Sequence, residues 1–170
     1  FTVITIEDEV KVESFDPAVS SGVRIELPGN LVMETVGSKG RWRVEVLPKL
    51  AKKYGLKWAA DSVANYLGIG YQSEKDSLWW GWRKRGVEWR EVDMVRDGLV
   101  REETEADGQK VLILSENWQP ASQKYFVSGV IANENLGVEV INASGVEGAG
   151  NNAARMIEAA GIKVDKVESG

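Results

Sequence analysis

The stretch from Val138 to Val167 constrains the fold more than any other. Val138 and Val140 flank Glu139 with the two-residue period of a strand that has one buried face. Asn142 to Gly150 is turn chemistry, with Asn, Ser and glycines at 145, 148 and 150. Ala149, Ala153, Met156, Ile157 and Ala160 then recur at three- and four-residue steps, which puts them on one face of a helix. Gly161 follows, where a helix end favours a residue free to take positive φ. Ile162, Val164 and Val167 resume a strand-like run. The spacing predicts strand 138–142, helix 148–160 and strand 162–167, with Ala153, Met156 and Ile157 packed on a sheet. A right-handed crossover between parallel strands is the simplest topology.

Gly148-x-Gly150-x-x-Ala153 also fits a phosphate-loop fingerprint, so a nucleotide-binding reading stands beside a packing one. Asp165 comes too early for the ribose-binding acid expected about 20 residues on. The expectation is that no NAD or other nucleotide binds here. The glycines would serve the turn into the helix and its close approach to the sheet.

The chain contains no Cys and no His. Disulfides, thiolate nucleophiles, Ser-His systems and His-held metals are therefore excluded. Carboxylate, Lys, Arg, Tyr and hydroxyl chemistry remain, with hard cations such as magnesium or calcium. A net charge of −5 argues against a general nucleic-acid binder. No run approaches the roughly 20 apolar residues of a membrane span, so a signal or anchor would precede Phe1.

Taken in order, Thr2–Ile6 and Val10–Ser14 read as strands around the acidic turn Glu7-Asp8-Glu9. Asp16-Pro17 is a bend, and Ser20 to Gly22 reads as a hairpin-type loop. Val23, Ile25 and Leu27 alternate with Arg24 and Glu26. Leu31–Thr35 is extended. Residues 47–54 and 58–67 read as helices, with Pro48 in a first turn and Gly55 and Gly68 just past the ends. Val92–Val95 reads as a strand. Leu99–Thr104 and Lys110–Leu114 read as a hairpin. Trp118 and Pro120 fall in a loop, Ser122–Val127 in a short helix, and Val130-Ile131 in a brief strand. Strands alternating with helices predict an α/β fold: a mixed sheet of roughly six to eight strands with helices on its faces, followed by a strand-helix-strand unit.

A short helix is expected from Asp76 or Ser77 through Arg85. It carries Trp79, Trp80, Arg83 and Arg85, and Trp89 follows. Interleaved aromatics and cations suit a glycan or partner surface, or stacked bases, while Leu78 and Trp82 at helical spacing suit a core.

These residues carry a resemblance to a family. Val138-Glu-Val-Ile-Asn-Ala-Ser-Gly145, the Gly/Ala-rich helix and Ala160-Gly-Ile-Lys-Val164 resemble the opening of the C-terminal module of LytR-CpsA-Psr cell-envelope proteins. Ser14-Phe15-Asp16-Pro17 resembles a strand end in the catalytic domain of the same family. Without a gap, Glu7-Asp8-Glu9 then falls on its Ser-Asp-Thr segment and Leu27-Pro28-Gly29-Asn30 on its Ile-Pro-Arg-Asp. Val63 to Tyr71 is similar to a family helix that ends Leu-Gly-Ile.

The resemblance implies a reduced catalytic-type domain over 1–132 and the first half of the C-terminal module over 138–170. Family enzymes move glycopolymers from polyprenyl-pyrophosphate to peptidoglycan with magnesium. Asp8 falls on the metal-side acid. Gly29 and Asn30 stand where the family has the pyrophosphate-gripping arginine and its neighbouring acid, which leaves Arg24, Arg41 and Arg43 as nearby cations. The expectation is therefore a non-catalytic binding or scaffolding protein for envelope glycan or polyprenyl-phosphate ligands. It would be extracytoplasmic, and membrane-anchored through a segment outside this chain. No cofactor is expected, or magnesium if the protein is active. An open edge at the C-terminal strands would favour a homodimer.

Overall fold

The computed structural model describes residues 1–16, 20–74, 86–126 and 137–169. The expected helix at 76–85 and the strand at Val130-Ile131 lie outside them.

Four strands form the main sheet: β1 (Thr2–Ile6), β2 (Val10–Asp16), β3 (Ser21–Glu26) and β6 (Glu88–Val92), side by side in that order. β1–β2 and β2–β3 are antiparallel, and β3–β6 is parallel. The sheet is thus mixed, as the sequence predicts, although its four described strands are fewer than expected. Beyond β1, the Ser73 carbonyl accepts from Ile4 N–H at 3.0 Å and Gln72 N–H donates to Thr2 O at 2.9 Å, a fragment of further pairing.

Ile4, Val12 and Ile25 stand in one cross-strand row and are fully buried. They form the core with α2 (Leu56–Leu67), which contributes Ala59, Ala60, Val63 and Leu67, and with Leu47 of α1 (Leu47–Tyr54). The small residues at 59, 60 and 64 let α2 lie close to the sheet. Gly55 at φ 100° separates the two helices, and Gly68 at φ 67° ends the second in the left-handed region, as Schellman-type ends require.

β4 (Val32–Glu34) and β5 (Arg41–Arg43) form one hairpin, and β7 (Val100–Thr104) and β8 (Lys110–Leu114) form another. A bridge between Leu31 and Leu112 joins them.

Three local readings are corrected. β3 already begins at Ser21, where the sequence reads a loop, because Asp16 pairs with Ser21 across the hairpin. The strand expected at 92–95 runs instead from Glu88 to Val92. Asp93 Oδ1 accepts the N–H groups of Val95 and Arg96, a side-chain turn that ends the strand. Trp118 is not in a loop but opens α3 (Trp118–Tyr125), whose first turn accommodates Pro120. Its ring is 2 % exposed, and its indole N–H donates to Leu67 O at 2.7 Å.

The C-terminal unit forms as predicted: β9 (Gly137–Asn142), α4 (Ala149–Ala159) and β10 (Lys163–Ser169), with the two strands parallel. Its helix is rotated from expectation. Gly150, Ala154 and Ala159 are buried, whereas Ala153, Met156 and Ile157 are only half-buried. Among the described residues the helix packs on β9 and β10, against α3, and at the end of α2. Gly150 faces Asn142 and Val167, and Arg155 lies against Gly68 at the end of α2.

Candidate functional site

Register brings together the segments that the family resemblance singles out. The tip of the β1–β2 hairpin carries Glu7, Asp8 and Glu9, all exposed. Leu27 N–H donates to Val10 O at 2.9 Å, so this tip lies beside the end of β3 and Pro28-Gly29. The end of β6 is the third side, since Ile25 pairs with Val92. Between the two strand ends is an open concavity of about 360 Å³ bounded by Glu26, Leu27, Pro28, Gly29, Val92, Asp93 and Met94.

Three carboxylates stand at this mouth, two of them beside a cation: Lys11 lies 3.8 Å from Glu26 and Arg43 3.9 Å from Glu45. Glu26 and Asp93 line it. Glu45 backs Gly29: its N–H donates to Gly29 O at 3.0 Å, and its Oε2 lies 3.5 Å from where a Cβ on Gly29 would be. Carboxylates therefore stand where the resemblance would have an arginine facing a diphosphate. A bare diphosphate approaching them meets like charge.

Two of the candidate cations are engaged away from this mouth, and the third, Arg43, lies beside its Glu45. Arg24 stands in one row with Glu13 and Glu91 across β2, β3 and β6. Its Nε donates to Glu13 at 2.8 Å and its Nη1 to Glu91 at 2.6 Å, and the guanidinium lies 4.8 Å from the centre of the Trp89 ring. Burial disfavours this charge, but hydrogen bonds and charge from Glu13 and Glu91 hold its pKa above the ordinary value. Arg41 faces Glu105 at 3.6 Å and Glu103 at 4.0 Å. Arg43 donates to Gln109 and lies 3.9 Å from Glu45. The structure thus places Arg24 on the sheet and Arg41 and Arg43 against the β7–β8 hairpin. No ion pair among the described residues joins any of the three to Asp8.

The donor set does not form a protein cage for magnesium. Among the described residues no three carboxylates converge to hold an ion. Asp8 stands on an exposed turn.

Of the expected ligand surface, Trp79, Trp80, Arg83 and Arg85 lie outside the described residues. Trp89 is half-buried on the second face of the sheet. It meets Phe15 edge-on with centroids 6.5 Å apart, and Phe15 stacks on Phe1 at 5.7 Å. Gly22 makes room for it, because a Cβ there would come within 2.8 Å of Trp89 Cζ3.

The Gly148 loop closes on itself. Asn142 Oδ1 accepts from Ser144 N–H at 3.1 Å, Asn142 Nδ2 donates to Val146 O at 2.8 Å, and Ser144 Oγ accepts from Val146 N–H at 3.1 Å. The N–H groups of Ser144, Val146 and Ala149 are thus used within the turn. Gly150 serves packing: a Cβ there would lie 3.1 Å from both Asn142 Cβ and Val167 Cγ1.

No family model matches the sequence, and no curated protein does. Several solved structures are similar. B. subtilis TagU has 14% identity and a TM-score of 0.38 over 68% of this chain and 50% of its own. B. subtilis TagV has 12% identity and a TM-score of 0.35 over 98% and 82%. The LytR-CPS2A-psr family protein YwtF (TagT), with bound octaprenyl pyrophosphate lipid, has 12% identity and a TM-score of 0.36 over 99% and 75%. The chain spans half the length of TagU.

Sequence reasoning missed Glu45. Its approach to Gly29 depends on how β5 returns past the end of β3, and the local sequence carries no signal of that.

Proposed function

We propose that this chain belongs to an extracytoplasmic protein of the LytR-CpsA-Psr kind, membrane-anchored in its full-length form, that binds or scaffolds envelope glycopolymer or polyprenyl-phosphate ligands without transferring them. The sequence resemblance supports the cell-envelope setting. The carboxylate-lined mouth at Gly29 supports the loss of transfer. Pyrophosphate departure needs a preorganised positive charge, and removing one such group typically costs on the order of 10²–10³ in rate. Here Glu26, Asp93 and Glu45 surround that position. A transferase would require Arg24 or Arg41 to leave its present acidic partners, or Arg43 to turn from Glu45 into the mouth.

The direct test supplies a glycopolymer on polyprenyl pyrophosphate, with magnesium and peptidoglycan. The expected result is retention of the glycopolymer without transfer. Turnover comparable to an intact family enzyme, abolished in Asp8→Ala, would overturn the reading.

Self-association belongs to the same proposal. Among the described residues no strand covers the outer edge of β10. Its sequence is self-complementary in one antiparallel register, with Lys163 opposite Glu168, Val164 opposite Val167 and Asp165 opposite Lys166. Sedimentation at high concentration should give a dimer, lost in Lys163→Glu and restored in Lys163→Glu/Glu168→Lys.

A further inference from the structure

The lysines divide sharply by environment. Lys11, Lys57, Lys110, Lys163 and Lys166 each hold a carboxylate partner. Apart from Lys124, the lysines with no carboxylate partner among the described residues are Lys39, Lys49, Lys52 and Lys53. All four are exposed, and all lie on α1 or on the turn between β4 and β5. Lys49 and Lys53 are one helical turn apart on the side away from Leu47.

Aromatic rings are set among these charges. Tyr54 is 36% exposed, with Lys53 Nζ 4.9 Å and Lys39 Nζ 5.7 Å from its ring centre. Its ring lies 4.9 Å from that of Trp58. Trp42 is 39% exposed, and its indole N–H donates to Lys39 O at 2.8 Å. Trp58 donates to Val36 O at 3.0 Å, which pins the same turn. Trp42 thus has its polar atom satisfied and presents carbon surface on the turn that carries Lys39, while Trp58 backs Tyr54 from the core side.

We infer that the face built from α1 and the β4–β5 turn docks on an anionic lipid bilayer. Four ammonium groups without carboxylates on a chain of net charge −5 create a local positive field on a negative body. An anionic surface therefore attracts this face and repels the rest, which fixes orientation as well as contact. Lysine stems and amphipathic Tyr and Trp rings suit the headgroup zone, where the carbon body is buried and the polar end stays wet. A soluble polyanion would use the lysines but gain little from the exposed rings. The lysines act within a Debye length of the lipid phosphates, so binding falls as salt rises.

The test is cosedimentation of the 170-residue chain with phosphatidylglycerol-containing vesicles and with purely phosphatidylcholine vesicles. Salt-sensitive binding to the first alone is expected. Replacing Lys39, Lys49, Lys52 and Lys53 by Gln should weaken it by about tenfold or more. A control with Gln at Lys11, Arg96, Arg101 and Lys110 removes equal charge from paired sites and should retain binding. Tyr54→Ala should weaken binding without changing the salt dependence. Equal loss in both quadruple variants, or equal binding to neutral vesicles, would overturn the inference. Capture by immobilised polyphosphate with no vesicle binding would overturn it in favour of a polymeric anion.

Discussion

Glu45 holds its Oε2 3.5 Å from the point where a side chain on Gly29 would begin. The two residues come from different elements, one from the end of β3 and one from the turn before α1. Their contact places a carboxylate at the mouth, with Arg43 3.9 Å from it. An arginine at 29 would start at ordinary contact distance, 3.4 Å from Glu45 Cβ.

Gly29→Arg should therefore fold, with a stability change within about 0.5 kcal/mol. It should not gain affinity for magnesium diphosphate, because Glu45 neutralises the new guanidinium. The pair Gly29→Arg/Glu45→Gln should bind more tightly than either single variant. Calorimetric titration with magnesium diphosphate checks this, and equal affinity in the single and double variants would refute the role given to Glu45.

Gly22→Ala should destabilise by about 1–3 kcal/mol. Its Cβ would meet Trp89 Cζ3 at 2.8 Å and the Ser14 carbonyl at 3.0 Å. The ring has some freedom to move and the carbonyl has little. Removing the ring with Trp89→Ala should relieve only part of the cost. Denaturant melts of the two single variants and the double variant measure that coupling.

Gly150→Val should loosen the C-terminal unit by about 1–3 kcal/mol, since Asn142 and Val167 already close on that position at 3.1 Å. Hydrogen exchange should quicken across 137–169. The unaltered chain should give no saturable heat with NAD or ATP. Micromolar binding lost in the variant would restore the nucleotide reading.

Asp61 makes stability depend on acid pH. Burial acts to raise its pKa, but Lys57, at 2.8 Å from each carboxylate oxygen, and the Tyr71 hydroxyl, at 2.7 Å, outweigh that and leave it lowered from 3.8. A lowered carboxylate pKa contributes stability that is complete above the unfolded value and disappears as pH falls through the folded one. The side chain is 37% exposed, so solvent screening limits the contribution to under about 1 kcal/mol. Asp61→Asn should lower Tm at neutral pH and have little effect at a pH below the carboxylate range. An equal Tm difference at both would contradict the assignment.

Legibility followed the range of the interaction. The limits of α1 were readable because Pro48 and Gly55 bracket a short apolar stripe. The β7–β8 hairpin and the C-terminal crossover were readable from period and turn residues. Trp118 was not: Pro120 two residues on looks like a breaker, and burial of the ring depends on the Leu67 carbonyl far back in the chain. In the candidate site, the gap-free frame placed Asp8 and Gly29, whose segments the structure brings side by side. The commitments of Arg24 and Arg41 to acidic partners were invisible, since Glu91 and Glu103 lie on strands remote in sequence.

Ala159 bears on how the chain is made. It is 1% exposed and joins the same apolar cluster as Ile4 and Leu67. A polypeptide emerging from its N-terminus has its first strands available long before this helix. Until then the end of α2 lacks both Ala159 and the Arg155 that covers Gly68. Contacts so distant in sequence are slow to close. Until α4 is made the nascent protein has an incomplete interior, a period in which a holding chaperone has a defined apolar target at the end of α2.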